Sequence, residues 1–316
     1  MRCKIRQDEA PGESIRRIAC EQIEAAIAAS RAASNGKGSP VHQTRKHLKK
    51  ARAALRLLAT EVSRERFRQE DRRLRNVGRL ISNIRDAEVR LATVKQLRQG
   101  PDAPRSRNFT ETEELLAFEL DSFLAAFSGW QEEAASKLQR AQAGIADWHL
   151  HRLSRNQICR TVRKSYRKGR VALECARKKG SAKKFHELRK RAKELWYQLR
   201  LLRPLKPKVF RELSNRLKTL GENLGHAHDL CFVAERLQSI AGAGTNKRGS
   251  RALEALIDSR EKDLLRAACA LGERFYATKP KEFSGRIAGY FAERGAVKAG
   301  RSRSLAHQSS YPLGNF

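Results

Sequence analysis

Residues 42–58, HQTRKHLKKARAALRLL, and residues 186–202, HELRKRAKELWYQLRLL, both open on histidine, run through Arg and Lys at matching places and close on Leu-Arg-Leu-Leu. At 100° per residue, His42, Arg45, Lys49, Arg52 and Arg56 stay within a sector of about 80° on an ideal helix. Leu48, Ala51, Leu55 and Leu58 form an apolar stripe about 110° away, as in a helix that packs on one side and presents charge beside it. In the second segment His186, Arg189, Lys193 and Arg200 make the charged stripe and Leu195, Leu199 and Leu202 the apolar one. Trp196 stands where Arg52 stands in the first. Arg160, Arg163, Arg167 and Arg170 step by three, four and three and predict a further basic helix face.

Working outward, apolar residues three and four apart dominate the chain, and alternating Val/Ile/Thr runs are nearly absent, so the fold expected is all-α. Helices are predicted over about 14–33, 40–60, 64–98, 109–142, 150–178, 182–203, 207–239 and 251–278, with Ser39 as N-cap and Pro40 at the first turn of the second. NGKGSP, QGPDAPRSRN, KKGS, RPLKPK and AGAGTNKRGS separate them. LRNVGRLISNIRDAEV at 74–89 aligns with LKTLGENLGHAHDLCF at 217–232, pairing Leu74 with Leu217, Gly78 with Gly221 and Asp86 with Asp229. Two blocks in the same order at nearly the same offset predict a duplicated unit of antiparallel helical bundles, 10–143 and 144–290, related by a pseudo-two-fold axis around a shared basic groove. Residues 294–316, basic and Ser-rich, are expected to be a disordered tail.

The 67 Lys and Arg outnumber the 34 Asp and Glu, giving +33 at pH 7, so the chain is built to meet a polyanion. With 316 residues, 40% of them hydrophobic, it is long enough to bury one large or two modest cores. Mean hydropathy is −0.66, and no apolar run approaches the roughly 20 residues of a membrane span. Lack of a signal-peptide core at the start predicts a cytoplasmic protein. The six cysteines are scattered without a C-x-x-C pair, so reduced, mostly buried thiols are expected.

Like charges three and four apart destabilise a free helix by a few tenths of a kcal/mol per pair, so a row of them calls for a bound anion. HQTRKHLKKARAAL, SYRKGR at 165–170, HELRKRAKELWYQLRLL and the two blocks carrying Arg85-Asp86 and His228-Asp229 resemble the CHAD family, the conserved histidine α-helical domain, over about residues 10–290. That resemblance implies two helical bundles around a basic pocket and inorganic polyphosphate as ligand; association with polyphosphate granules, protection of polyphosphate and its delivery to an enzyme are all open as the purpose. Without a Glu-x-Glu-x-Lys signature, a stand-alone member is expected. The polyphosphate-binding residues predicted from the stripes and the resemblance are His42, Arg45, Lys49, Arg52, Arg56, Arg160, Arg163, Arg167, Arg170, His186, Arg189, Lys190, Lys193 and Arg200. Arg offers forked donors to phosphate, Lys a mobile point charge and His a donor whose charge responds to the anion. Only 6% of residues are aromatic and none interleaves with the first stripe, unlike most single-strand nucleic-acid binders.

Three other readings compete. A basic surface holds nucleic acid non-specifically, although no zinc finger, RRM or basic-zipper pattern is present. His226, His228 and Asp229 with His186 suggest a metal-dependent phosphohydrolase, but the first block has Asn83 and Arg85 where the second has His226 and His228. A scaffold for an acidic protein is the third. Asp86 and Asp229 are read as structural, orienting a basic neighbour. No nucleophile–base pair, phosphate loop or dinucleotide fingerprint occurs, so a binding protein without catalytic residues, metal or cofactor is expected.

Overall fold

The structure is a computed structural model that describes residues 5–6, 9–32, 39–100, 108–150, 153–241 and 247–293. These residues form helices and no strand. The helices are α1 (Pro11–Arg31), α2 (Pro40–Leu58), α3 (Arg64–Leu80), α4 (Ser82–Arg98), α5 (Asn108–Ala126), α6 (Trp130–Ala146), α7 (Arg155–Lys179), α8 (Ala182–Leu201), α9 (Pro207–Ala241), α10 (Lys247–Phe275) and α11 (280–293).

Local chemistry sets several ends. Ser39 Oγ accepts the His42 N–H at 3.0 Å, satisfying a donor the first turn of α2 would otherwise leave free. Ser154 and Gln157 form a reciprocal capping box at the start of α7, and Gly180, at φ +60°, ends that helix by donating its N–H to Ala176 O.

Two expected helices prove to be four. The pattern over 64–98 breaks at Ile81 and the one over 109–142 breaks at 127–129. Ser128 and Gly129, the latter the N-cap of α6, account locally for the second break, whereas nothing local explains the first; both move the chain between two cores. Leu74, Val77, Ile81 and Ile84 lie in the larger core, whereas Val94 and Leu97 lie in a smaller one. Phe109 and Leu116 of α5 belong to the smaller core, and Trp130, Leu138 and Ile145 of α6 to the larger. Helix α11 was not expected either, because Gly285 and Gly289 weaken its propensity; Phe283, Ile287 and Phe291 override that by burying in the larger core.

The smaller core joins α4 and α5 to α9 and α10, and the larger one gathers α1, α2, α3, α6, α7, α8, α11, the start of α4, the first part of α9 and the end of α10. Both cores therefore draw on both halves of the sequence. Pairing follows the same order twice: α1 packs on α2 as α7 does on α8, α4 on α5 as α9 on α10, and α6 on α1 as α11 on α7. Across the middle, α2 packs on α8 and α4 on α9. Among the described cysteines only Cys159 is buried; Cys20, Cys175, Cys231 and Cys269 are partly exposed free thiols, fewer buried than expected. The 294–316 segment and Cys3 lie outside the described residues.

Candidate functional site

Because α2 and α8 pack side by side with α4 and α9 behind them, the two histidine-led stripes meet. Lys49 is the centre of the meeting. Desolvation by the neighbouring helices, and then the like charge of Arg189, Arg45, Lys193 and Arg85, push its pKa down to about 7. Lys49 is nevertheless an exposed residue, so the cluster opens to solvent at this point. Arg45, also lowered by burial and by Arg85 and Arg189, donates from Nη1 to Gly78 O at 3.2 Å. Lys193 is lowered by burial and by Arg189.

Arg189 is the recurrent neighbour in this cluster, and its Nε is buried with no hydrogen-bond partner. Two glycines of α9 give the cations of α8 room. A Cβ on Gly225 would lie 3.2 Å from Arg189 Nη2, and one on Gly221 would lie 3.0 Å from Lys193 Cε.

The histidines flank these cations without adding charge. Burial, then Arg85, Lys46, Lys49 and Arg45, hold His42 at about 4, so its imidazole is neutral at pH 6 as well as pH 8 in the free protein. His186 Nδ1 lies 3.1 Å from His228 Nε2, one donating to the other. Burial and then His186, Arg189 and Lys49 hold His228 at about 4, and His186 is lowered too. Asp86 and Asp229 are pushed up by burial and pulled back by Arg45 and Arg189 respectively, the largest opposing charges.

The other predicted residues have different surroundings. Arg52 makes a forked pair with Asp71, 2.8 Å from Nε to Oδ1 and 3.1 Å from Nη2 to Oδ2. Arg56 pairs with Glu194 at 3.1 Å and so ties α2 to α8. Lys190 pairs with Glu187 at 2.9 Å, and Arg200 and Lys193 each lie 4.9 Å from the centre of the Trp196 ring. Arg160 and Arg163 line a cavity against α11, Arg167 is exposed, and Arg170 reaches Glu174 at 3.5 Å and Thr278 O at 3.5 Å.

Arg85, Asp86, His228 and Asp229 reach the cleft from α4 and α9 without having been assigned to it. Their aligned places at the ends of the two repeated blocks were the available signal. Among the described residues no group of three His, Cys, Asp or Glu could hold a metal ion.

The arrangement can bind an extended anion through facing cations, with imidazole and guanidinium donors in reach. No curated protein matches the sequence. The CHAD domain, as a family model, matches residues 17–238, which carry both basic walls and the α4 and α9 segments behind them. On a match over most of its length, the chain belongs to the CHAD family.

Proposed function

We propose that this protein binds inorganic polyphosphate in the α2–α8 cleft, without catalysis. The observation that carries the reading is the crowding around Lys49. Arg45, Arg85, Arg189 and Lys193 face an ammonium that they and burial push toward neutrality, while Arg189 Nε has no partner. Arg85 is paired with Glu88 at 3.0 Å, and Glu222 acts on Lys193, but burial weakens the ionisation of Asp86 and Asp229, the acids set against Arg45 and Arg189. Such a cluster is costly in the free protein and is relieved by a linear polyanion, whose phosphates supply charge to both walls and acceptors to Arg and neutral His donors. Trp196, the aromatic beside the α8 stripe, is already covered by Lys193 and Arg200, which argues against a base-stacking role.

Family membership supports the same ligand, and the repeated pairing order supports reading α2 and α8 as copies of one ancestral helix. Attachment to cytoplasmic polyphosphate granules follows from that ligand; no helix among the described residues is long and apolar enough to cross a membrane.

The test is a titration with one defined long polyphosphate at fixed ionic strength. Reversing Arg45 and Lys49 to Glu should weaken binding about as much as reversing Arg189 and Lys193, with the combined variant non-additive because both pairs act on one ligand. Arg301→Glu with Arg303→Glu makes the same change in net charge as the control. An equal loss in that control, or displacement by duplex DNA at equal charge concentration, would replace this reading with general polyanion binding.

A further inference from the structure

The basic face of α7 has its own cleft. Asn156, Arg160 and Arg163 of α7 face Lys281, Ser284 and Gly285 of α11 across a cavity of about 200 Å³. On each helix these positions are three and four apart, so two helix faces line one groove. With a net charge of +33, unpaired cations alone would mark nothing. Here, however, three converge from two helices on one cavity, no carboxylate lines it, and Arg160, Arg163 and Lys281 make no ion pair within 4 Å among the described residues. Neighbouring exposed cations do find acids: Arg286 pairs with Glu282 on the same α11, and Lys206 with Glu293.

The cleft is kept open by composition. A Cβ on Gly285 would meet nothing within 4 Å, so even that glycine leaves space unfilled. Its framework is tied: Arg155 donates to Phe291 O at 3.4 Å, and Phe283, Ile287 and Phe291 anchor α11 in the larger core. Ser284 Oγ is already committed as donor to Lys281 O at 2.9 Å, which leaves the two guanidinium groups, the ammonium and the Asn156 amide to face a ligand. These are donors and positive charges from two helices, beside Cys159 and Ala288, without an aromatic ring to hold a base.

We infer that the α7–α11 cleft is a second anion site, separate from the α2–α8 cleft, and that it takes a short phosphate chain. It lies half outside the family match, since α11 begins after residue 238. Arg160 and Arg163 then serve this site and not the central one.

The experiment is calorimetric titration with inorganic tripolyphosphate at fixed ionic strength, read as stoichiometry. Wild type should take up two molecules per chain. Arg160→Glu with Lys281→Glu should lose one and keep the other, and the milder Arg160→Gln with Lys281→Gln should weaken the same site by at least tenfold; unchanged helicity and thermal midpoint show that both variants fold. Arg45→Glu with Lys49→Glu should lose the complementary site. Wild-type stoichiometry and affinity in both the Arg160/Lys281 variants overturn the proposal. So does complete loss of binding in the Arg45/Lys49 variant. Failure of the central reading looks different: wild type would then bind a single tripolyphosphate, and the Arg160/Lys281 reversal would abolish it.

Discussion

Lys49 owes its depressed pKa to where it sits, and a bound polyanion reverses the cause. Its free-state pKa is about 7, so the ammonium loses its proton as pH rises past that point; a polyanion favours the charged form and raises the bound-state value. Binding in the proposed site should therefore be at full strength below pH 7 and decline as pH rises from 7 toward the bound-state pKa, by at most about tenfold per pH unit for one linked proton. Lys49→Arg keeps the charge at every pH in that range and should flatten the decline, measured as affinity for long polyphosphate at pH 6.5, 7.5 and 8.5. Arg52 and Arg56 have another role. Arg52→Ala removes the fork to Asp71, leaving that nearly buried carboxylate with Arg75 alone, and should cost about 1–3 kcal/mol of stability. Its affinity loss should be small beside that of Arg45→Ala. Denaturant unfolding and titration of the same two variants separate the effects.

At the scale of the element, glycine inside α9 stands out because helix interiors disfavour it by about 1 kcal/mol relative to alanine. Gly225 is buried, and the space its missing Cβ leaves holds the Arg189 guanidinium. Gly225→Ala should raise helix stability by up to about 1 kcal/mol while displacing Arg189 by a few tenths of an ångström or more. Polyphosphate affinity should then fall severalfold as the thermal midpoint stays level or rises; a fall in both would mean that the methyl group strains the packing instead. The breaks at Ile81 and at 127–129 belong to this scale as well. They let α4 and α5 close the smaller core with α9 and α10, while Arg85 and Asp86 near the start of α4 stay beside Arg45 of α2.

For the whole molecule, buried neutral histidines make the fold sensitive to acid. His42, His47 and His228 are held at about 4 and His186 is lowered, against about 6.5 in an unfolded chain. The unfolded state thus binds more protons between pH 6.5 and 4, so stability is present above 6.5 and is lost as pH falls through that window. Discounted for partial exposure, the depression of His42, His47 and His228 puts the loss on the order of 2 kcal/mol for each of these three, with Asp86 and Asp229, raised by burial, opposing it at the acid end. The free protein should therefore show a thermal midpoint that drops from pH 6.5 to 4.5. Saturating polyphosphate should restore much of it, since a hundredfold excess over Kd contributes about 2.7 kcal/mol. A midpoint independent of pH across that range would contradict the neutral, buried state of the histidines.

The helical class, the caps at Ser39 and Gly180 and the two basic stripes were legible in the sequence because spacing at 3.6 residues per turn is a local property. The repeated blocks were legible for the same reason, and they carried Arg85, Asp86, His228 and Asp229 without revealing what those residues face. Only the tertiary structure decided that Arg45, Lys49, Arg189 and Lys193 share one cleft while Arg52 and Arg56, on the same stripe, are taken up by Asp71 and Glu194. It also decided that Arg160 and Arg163 turn toward α11, a helix that its glycines hid. The physical reason is that a helix face specifies only the direction of its side chains. Whether a cation on that face meets an acid, another cation or open water depends on which helix packs opposite, and here the two shared cores set that arrangement.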